Sequence, residues 1–209
     1  MTHDPYPTRR ALAPRDVLTA GDLKQLWRVA SGALRIDSAP IGEPSRFVRL
    51  ALPGDIVGIE QWAGTGDRLS LRALVASHLT PVTASGEPMM QLLMETVVQA
   101  HQRCREMVGL RTGPVAQRIK ALLLMFAPEQ GQGRGIADCD LPNLADLSDI
   151  VDAAPETVSR VFASMRTLQV VQDRKPQRAS FSSEALRRLE IVAGMTSPRA
   201  VHKMPCAGT

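Results

Sequence analysis

The segment from Asn143 to Met165 constrains the fold most, because it has the residue pattern of two short helices joined by a tight turn. Apolar residues recur at helical spacing in its first half, namely Leu144, Leu147, Ile150 and Val151. Asn143 precedes them as a favourable N-cap. Pro155 suits the first position of a second helix, where the amide N–H that it lacks would have no partner. The segment therefore predicts a helix-turn-helix.

The second of these helices is predicted to carry a polar face opposite an apolar one. The apolar stripe consists of Val158, Val161, Phe162 and Met165. Glu156, Ser159 and Arg160 fall at i, i+3 and i+4 on the other side. In the DNA major groove an Arg can bond guanine O6 and N7, a Glu can accept from cytosine N4, and a Ser can do either. The face is predicted to read bases, and the alternative is a solvated face with an ordinary Glu/Arg pair.

Composition allows a packed protein that binds a polyanion. The chain has 209 residues, of which 44% are hydrophobic, enough for one or two domains. Only 3% are aromatic, which argues against stacking on single-stranded bases. Residues 138–156 hold six acidic and no basic side chains, whereas residues 160–188 hold seven basic and two acidic ones. The basic segment is where phosphates are expected to lie.

The sequence favours a cytoplasmic protein that is not an enzyme. It has no run of about 18 apolar residues and no hydrophobic signal segment at its start. Cys104, Cys139 and Cys206 are far apart and odd in number, so neither a disulfide framework nor a metal site is predicted. No phosphate loop or nucleophile–base spacing occurs either.

The N-terminal part is predicted to form a small antiparallel β-roll over residues 16–86, preceded by an irregular arm over residues 1–15 that is rich in proline. Short apolar segments alternate there with turn signals. The predicted strands are Leu26–Val29, Leu34–Ile36, Phe47–Leu52, Ile56–Ile59 and Ser70–Val75. With the helices that follow, the fold class is α+β.

Glu87 to Arg111 is the longest periodic segment, and residues 87–112 are predicted to form a dimerisation helix. Apolar residues step by three and four in the rhythm of a coiled-coil seam, at Met90, Leu93, Val97, Ala100, Cys104 and Met107. Met94, Val98 and Val108 widen the stripe enough to serve both a partner helix and the roll. A parallel homodimer is the preferred hypothesis, and it would place Cys104 beside its counterpart.

Residues 113–195 are predicted to form a winged helix-turn-helix domain. Val115–Phe126 is a strongly apolar helix that would support the reading unit. Val170–Asp173 and Arg178–Phe181 flank a basic tip and predict a β-hairpin wing, and a last helix begins at Ser183. The tail over residues 196–209 is predicted to be disordered.

Together these segments resemble the Crp/Fnr family of bacterial transcription regulators over about residues 16–190. The resemblance rests on the order and spacing of Ser31–Arg35, Leu52–Gly58, Val115–Ile119 and Glu156–Arg160. It implies a shortened roll like a cyclic-nucleotide-binding domain, a dimer helix and a winged helix-turn-helix. It also implies a homodimeric regulator whose partners are double-stranded DNA and RNA polymerase.

The Glu-x-x-Ser-Arg pattern resembles the branch named for the fumarate and nitrate reductase regulator, which reads TTGAT-like half-sites in an inverted repeat. By that resemblance Glu156, Ser159 and Arg160 would contact bases, with Arg160 on the guanine and Glu156 on a cytosine of the complementary strand. Pro155 stands where the cyclic-AMP branch has Arg, which disfavours a TGTGA site. The residues expected at the DNA backbone are Asn143, Thr157, Arg166, Arg174, Lys175 and Arg178.

The effector is the harder question. No cysteine precedes Cys104, so the iron–sulfur cluster of the redox-sensing members is excluded. The phosphate-binding pairs of the cyclic-nucleotide branch are matched only by Gly58-Ile59-Glu60 and Arg68-Leu69-Ser70, each with one residue inserted, which reverses a side chain's face in a strand. Glu60, Arg68 and Ser70 are therefore poor candidates for cyclic nucleotide.

Haem would need an axial ligand, for which His78 and His101 qualify by residue type alone. No cofactor is predicted. Cys104 could act as a thiol switch or simply pack as a small hydrophobe. Two alternatives to a DNA-reading regulator of this kind stay open, a dimeric adaptor without catalytic activity and a regulator that responds to cyclic nucleotide.

Overall fold

The computed structural model describes residues 9–19, 21–39, 43–59, 68–83, 87–127 and 136–190. The chain divides into two compact units, residues 1–108 and residues 109–209. Each unit combines antiparallel strands with helices, which confirms the α+β class. None of the helices in the described ranges is long and apolar enough to cross a membrane.

The first unit is a roll of two antiparallel sheets. Among the described residues its strands are β1 Arg10–Leu12, β2 Val17–Leu18, β3 Trp27–Ser31, β4 Leu34–Ala39, β5 Arg46–Ala51, β6 Ile56–Val57, β7 Arg68–Ala73 and β8 Ser77–Pro81. The strand orders are β1-β8-β3-β6 and β2-β7-β4-β5. Both sheets contribute to one hydrophobic core, which includes Trp27, Leu34, Ile36, Leu71 and Leu79. The predicted β-roll is therefore confirmed.

The beginning of the chain differs from the prediction. Arg10–Leu12 pairs with β8 and Val17–Leu18 pairs with β7, so the irregular arm predicted for residues 1–15 is wrong from Arg10 onward. Leu12 and Leu18 are buried in the core. The prolines of this region suggested irregular structure, but Pro14 lies only in the turn between the two strands. Residues 1–8 lie outside the described residues.

The long helix α1 spans Glu87–Arg111, the range that the periodicity predicted. Its contact with the roll uses Leu92, which packs with Leu26 of the roll and with Ile56 of β6. Met94, Val98 and Val108 are all exposed, so the prediction that they also serve the roll is wrong. Thr96 is buried beside Leu92, and its hydroxyl is satisfied there because it donates to the Leu92 carbonyl at 2.8 Å. Because this buried face contains a polar residue, the spacing of apolar residues in the sequence did not reveal it.

An ion pair joins α1 to the turn before β6. Arg103 Nε donates to Asp55 Oδ2 at 2.8 Å, and the Leu52 amide donates to the same oxygen at 2.9 Å. Arg103 Nη1 also contacts Glu106 Oε2 at 2.6 Å. Burial alone would lower the pKa of Arg103, but the hydrogen bonds to Asp55 and Glu106 outweigh it and the net shift is upward. The Asp55 side chain is only 4% exposed, so the pair fixes the helix on the roll.

The second unit is a helical domain with a small sheet. In the described part it contains α2 Val115–Phe126, β9 Ala137–Asp140, α3 Leu144–Ile150, α4 Pro155–Thr167, β10 Val171–Lys175, β11 Arg178–Phe181 and α5 Ser183–Arg188. The predicted bounds of α2, the wing strand β11 and the start of α5 are confirmed. The sheet order β10-β11-β9 adds a strand that the sequence did not predict, because β9 lies in a short acidic segment and is held by pairing with β11. The predicted tail at residues 196–209 lies outside the described residues.

Asp55→Ala is expected to lower the free energy of unfolding of the first unit by about 3 kcal/mol, because it leaves a buried amide and a half-buried guanidinium without their acceptor. Urea unfolding followed by tryptophan fluorescence measures this, since both tryptophans of the chain precede residue 109. The matched control is Glu43→Ala, which removes the exposed pair with Arg46 and should cost at most about 1 kcal/mol. Equal effects of the two substitutions would contradict the role of the Arg103 pair.

Candidate DNA-binding surface

The helix-turn-helix forms as the local residue pattern predicts. Asn143 caps α3, because its Oδ1 accepts from the Asp146 amide at 3.0 Å, and its Nδ2 donates to Asp146 Oδ2 at 2.8 Å. The turn includes Asp152 with a φ of 50°, and the Ala153 amide donates to the Ser148 carbonyl at 2.9 Å. Pro155 is the first residue of α4. Local capping and turn chemistry therefore help to define both helices and their junction.

Helix α4 has one buried apolar face and one polar face, as predicted. Val158, Val161, Phe162 and Met165 are all buried. Glu156 and Arg160 are exposed and Ser159 is half-buried on the other side. Arg160 Nη2 donates to Thr157 Oγ1 at 3.3 Å, and this one long bond leaves most of the five guanidinium donors available to bases.

A basic cleft lies beside this face, between α4 and the hairpin β10–β11. It encloses about 400 Å³ and is lined by Asn143, Leu144, Ser159, Phe162, Arg166, Arg174, Lys175 and Pro176. We call it the wing groove. The Arg174 guanidinium lies over the Phe162 ring at 4.0 Å from its centre. Burial, and secondly the charge of Arg166, lowers the pKa of Arg174, so its charge is held in a partly desolvated site.

The residues predicted at the DNA backbone do not all lie together. Arg166, Arg174 and Lys175 line the wing groove with Asn143. The side-chain amide of Asn143 is engaged in capping α3, so its first role is structural. Arg178 forms an ion pair with Asp138 of β9 at 3.5 Å. Thr157 accepts from Arg160, which was predicted to read a base.

Two arginines that the sequence pattern did not single out donate hydrogen bonds to the backbone of the helix-turn-helix. Arg118 Nη1 donates to the Val151 and Asp152 carbonyls at 2.6 and 3.1 Å, and its Nε donates to the Gly113 carbonyl at 3.0 Å. Arg111 Nη2 donates to the Asp149 carbonyl at 3.0 Å. Guanidinium groups at the end of α3 supply further donors to the carbonyls of its last turn and of the residues that follow, and they favour its dipole. The only indication of this role in the sequence was the position of Arg118, a basic residue inside the largely apolar α2.

The effector candidates of the first unit are only partly described. Glu60 and the Arg68 side chain lie outside the described residues. Ser70 is half-buried on β7 and pairs with Asp37 of β4. His78 is exposed and hydrogen-bonded to Ser31 Oγ at 3.2 Å, and His101 is exposed on α1. Within the described ranges no three His, Cys, Asp or Glu side chains are grouped as metal ligands would be.

The predicted dimer seam is largely on the surface of the single chain. Met90 and Val97 are each 63% exposed, and Cys104 is exposed as well. Leu93 and Ala100 are half-buried. Met107 is 7% exposed and so already packs within its own chain. The exposed members form an apolar stripe with room for a partner, and the place of Met107 in the seam stays a prediction.

The two described cysteines differ in reactivity. Cys139 is buried on β9 and its Sγ donates to the Phe126 carbonyl at 2.6 Å. Burial, and secondly the charge of Asp140, raises the pKa of the Cys139 thiol to about 12. Cys104 is exposed on α1. Of these two thiols, Cys104 alone is placed to react.

Solved structures with the same fold are transcription regulators. A CRP-family regulator from Thermus thermophilus superposes with a TM-score of 0.65 at 20% identity, covering 86% of this chain and 95% of its own. FixK2 from Bradyrhizobium japonicum gives a TM-score of 0.64 at 18% identity over 89% and 98% of the two chains. The c-di-GMP-responsive global regulator CLP of Xanthomonas campestris gives 0.55 at 19% identity over 84% and 94%.

No protein-family model matches the sequence, and no curated protein matches it. The structural likeness nevertheless extends over nearly the full length of the regulators as well as of this chain. The chain therefore has the fold of the CRP/FNR transcription regulators. A roll like a cyclic-nucleotide-binding domain, followed by a C-terminal helical domain, is confirmed as its architecture.

In a Cys206→Ser background, the native Cys104→Ser variant at pH 8 is expected not to react with Ellman's reagent, because its remaining cysteine, Cys139, is buried. The attacking species is the thiolate, and a pKa of about 12 leaves almost none of it at Cys139. Denaturation should expose Cys139 and allow the reaction. Rapid labelling of native Cys104→Ser protein would contradict the buried placement of Cys139.

Proposed function

We propose that this chain is a sequence-specific regulator of transcription of the Crp/Fnr type that binds double-stranded DNA and has no enzymatic activity. The observation that carries the proposal is the exposed polar face of α4, set beside the basic wing groove. A helix whose apolar face is buried offers the opposite face to the major groove. Base contacts then specify the sequence, and phosphate contacts fix the register.

Each reading residue has chemistry suited to one base edge. Arg160 bonds guanine O6 and N7, Glu156 accepts from cytosine N4 on the complementary strand, and Ser159 adds a donor or acceptor. We assign them to a TTGAT-like half-site in an inverted repeat. Thr157 supports this assignment because its hydroxyl holds Arg160 from three residues away.

The reading unit acts as a homodimer in this proposal. The exposed stripe of α1, with Met90, Val97 and Cys104, is covered by the same stripe of a second copy. Two copies related by a twofold axis read two half-sites whose centres lie about one helical turn apart. RNA polymerase is the partner through which binding changes transcription.

Arg160→Ala is expected to lower affinity for the TTGAT-like palindrome by about 1–3 kcal/mol per half-site and to remove the preference at that base pair. Lys175→Ala, at the exposed wing tip, is the matched control. It should weaken cognate and unrelated duplexes alike and reduce the slope of log K against log salt by about 1. Band shifts over a salt series measure both.

An Arg160→Ala variant that still prefers the palindrome would overturn the assignment of the reading residues. Wild-type protein whose DNA binding shows no sequence preference and little salt dependence would favour the adaptor alternative. Correct folding of each variant is checked by circular dichroism before the comparison.

Val97→Glu is expected to give monomers, because it places a charge in the middle of an apolar seam. Native mass spectrometry should show dimers for the wild type. Val17→Glu is the control, since Val17 is similarly exposed but lies on β2, away from the helix. Monomeric wild-type protein, or loss of the dimer in both variants, would contradict a seam on α1.

A further inference from the structure

The environment of Arg174 differs from that of the other basic residues described above for the second unit. Its side chain projects from β10, and its guanidinium lies over the ring of Phe162, a residue of the buried face of α4. Its Nε is buried and has no hydrogen-bond partner among the described residues. A buried donor without an acceptor is costly to the free protein, so the position is held by stacking and not by hydrogen bonding.

The charge around Arg174 is not neutralised. Arg166 lies near enough to lower the pKa of Arg174 by repulsion, and Lys175 lines the same wing groove. Within the described residues none of the three forms an ion pair, whereas Arg178 pairs with Asp138 and Arg188 pairs with Glu184. Like charges held together in a partly desolvated cleft favour binding of an anion, whose charge would offset both the repulsion and the desolvation.

We propose that the wing groove holds one phosphate of the DNA backbone between Arg174 and Arg166, and that stacking on Phe162 makes Arg174 the residue that positions this phosphate. This inference rests on the function proposed above and gives the groove a defined ligand, a phosphodiester. Ser159 lines the same groove, so the bound phosphate lies next to the base-reading face. The contact therefore fixes the register of α4 on the duplex.

The geometry requires arginine at position 174. A guanidinium is planar, stacks on an aromatic face and offers parallel N–H donors to two phosphate oxygens, whereas an ammonium group is a point charge on a flexible stem. The guanidinium carbon lies 4.0 Å from the centre of the Phe162 ring, a contact in which a planar group can stack on the ring while its outer N–H groups face the ligand. Lysine would keep the charge but lose this orientation.

The test compares Arg174→Lys, Arg174→Met and the control Arg188→Met on duplexes that carry the TTGAT-like inverted repeat. In each duplex one backbone phosphate per half-site is replaced by a neutral methylphosphonate, and the position is moved along the site. Wild-type protein is expected to lose about 10- to 100-fold in affinity at the position that Arg174 contacts, in addition to the losses at other contacted phosphates. Arg174→Met should lose about as much on the unmodified duplex and nothing further at that position, and Arg174→Lys should resemble it.

Arg188→Met should keep the wild-type profile, because Arg188 lies on α5, is paired with Glu184 and is not among the residues proposed to contact DNA. Wild-type affinity for Arg174→Lys, or losses that simply add at every methylphosphonate position, would overturn the phosphate assignment while the regulator proposal stands. Absence of sequence-specific binding by the wild-type protein would overturn both. If Arg174→Met does not fold, the scan of wild type against Arg174→Lys decides between these outcomes.

Discussion

Burial of one side of α4 is the constraint on which the second unit depends. Val158, Val161, Phe162 and Met165 are turned into the core, and a helix that buries one stripe must present the opposite one. The outward direction of Glu156 and Arg160 therefore follows from apolar packing and does not depend on DNA. Phe162 has a second role, since its ring is also the surface on which Arg174 lies. One apolar residue thus sets both the reading face and the position of the wing cation beside it.

The features that the sequence predicted well are local. A cap such as Asn143, the proline at the start of α4 and the bounds of α1 and α2 depend on residues within one or two turns of each other. The features that it missed join distant segments. Strand β9 exists because Cys139 pairs with Ala179, and β1 because Ala11 pairs with His78. Neither segment is long or regular enough to be recognised without its partner.

At the candidate site, the positions of the basic residues in the sequence likewise do not predict which of them are available to a ligand. Arg166, Arg174, Lys175 and Arg178 are equivalent in the sequence, as basic residues after the reading face. The structure separates them, because Arg178 is paired with an acidic residue of β9 while Arg174 is stacked and partly desolvated. Counting basic residues indicates a polyanionic partner, but only the arrangement of carboxylates and aromatic rings shows which cations are available to it.

The proposed function requires two copies of the chain, and the exposed face of α1 is the surface through which they would associate. Leu92 and Arg103 fix the helix on the roll, which leaves Met90 and Val97 on the surface as an apolar stripe. Each base pair that a reading residue recognises contributes about 1–3 kcal/mol of discrimination. Three residues cannot by themselves select one site among the millions of competing sites in a genome. In the proposed dimer, a second copy bound through the exposed stripe of α1 would double the number of base pairs read without any further base-reading residue. The same twofold symmetry would therefore cover the apolar stripe of α1 and supply the additional specificity.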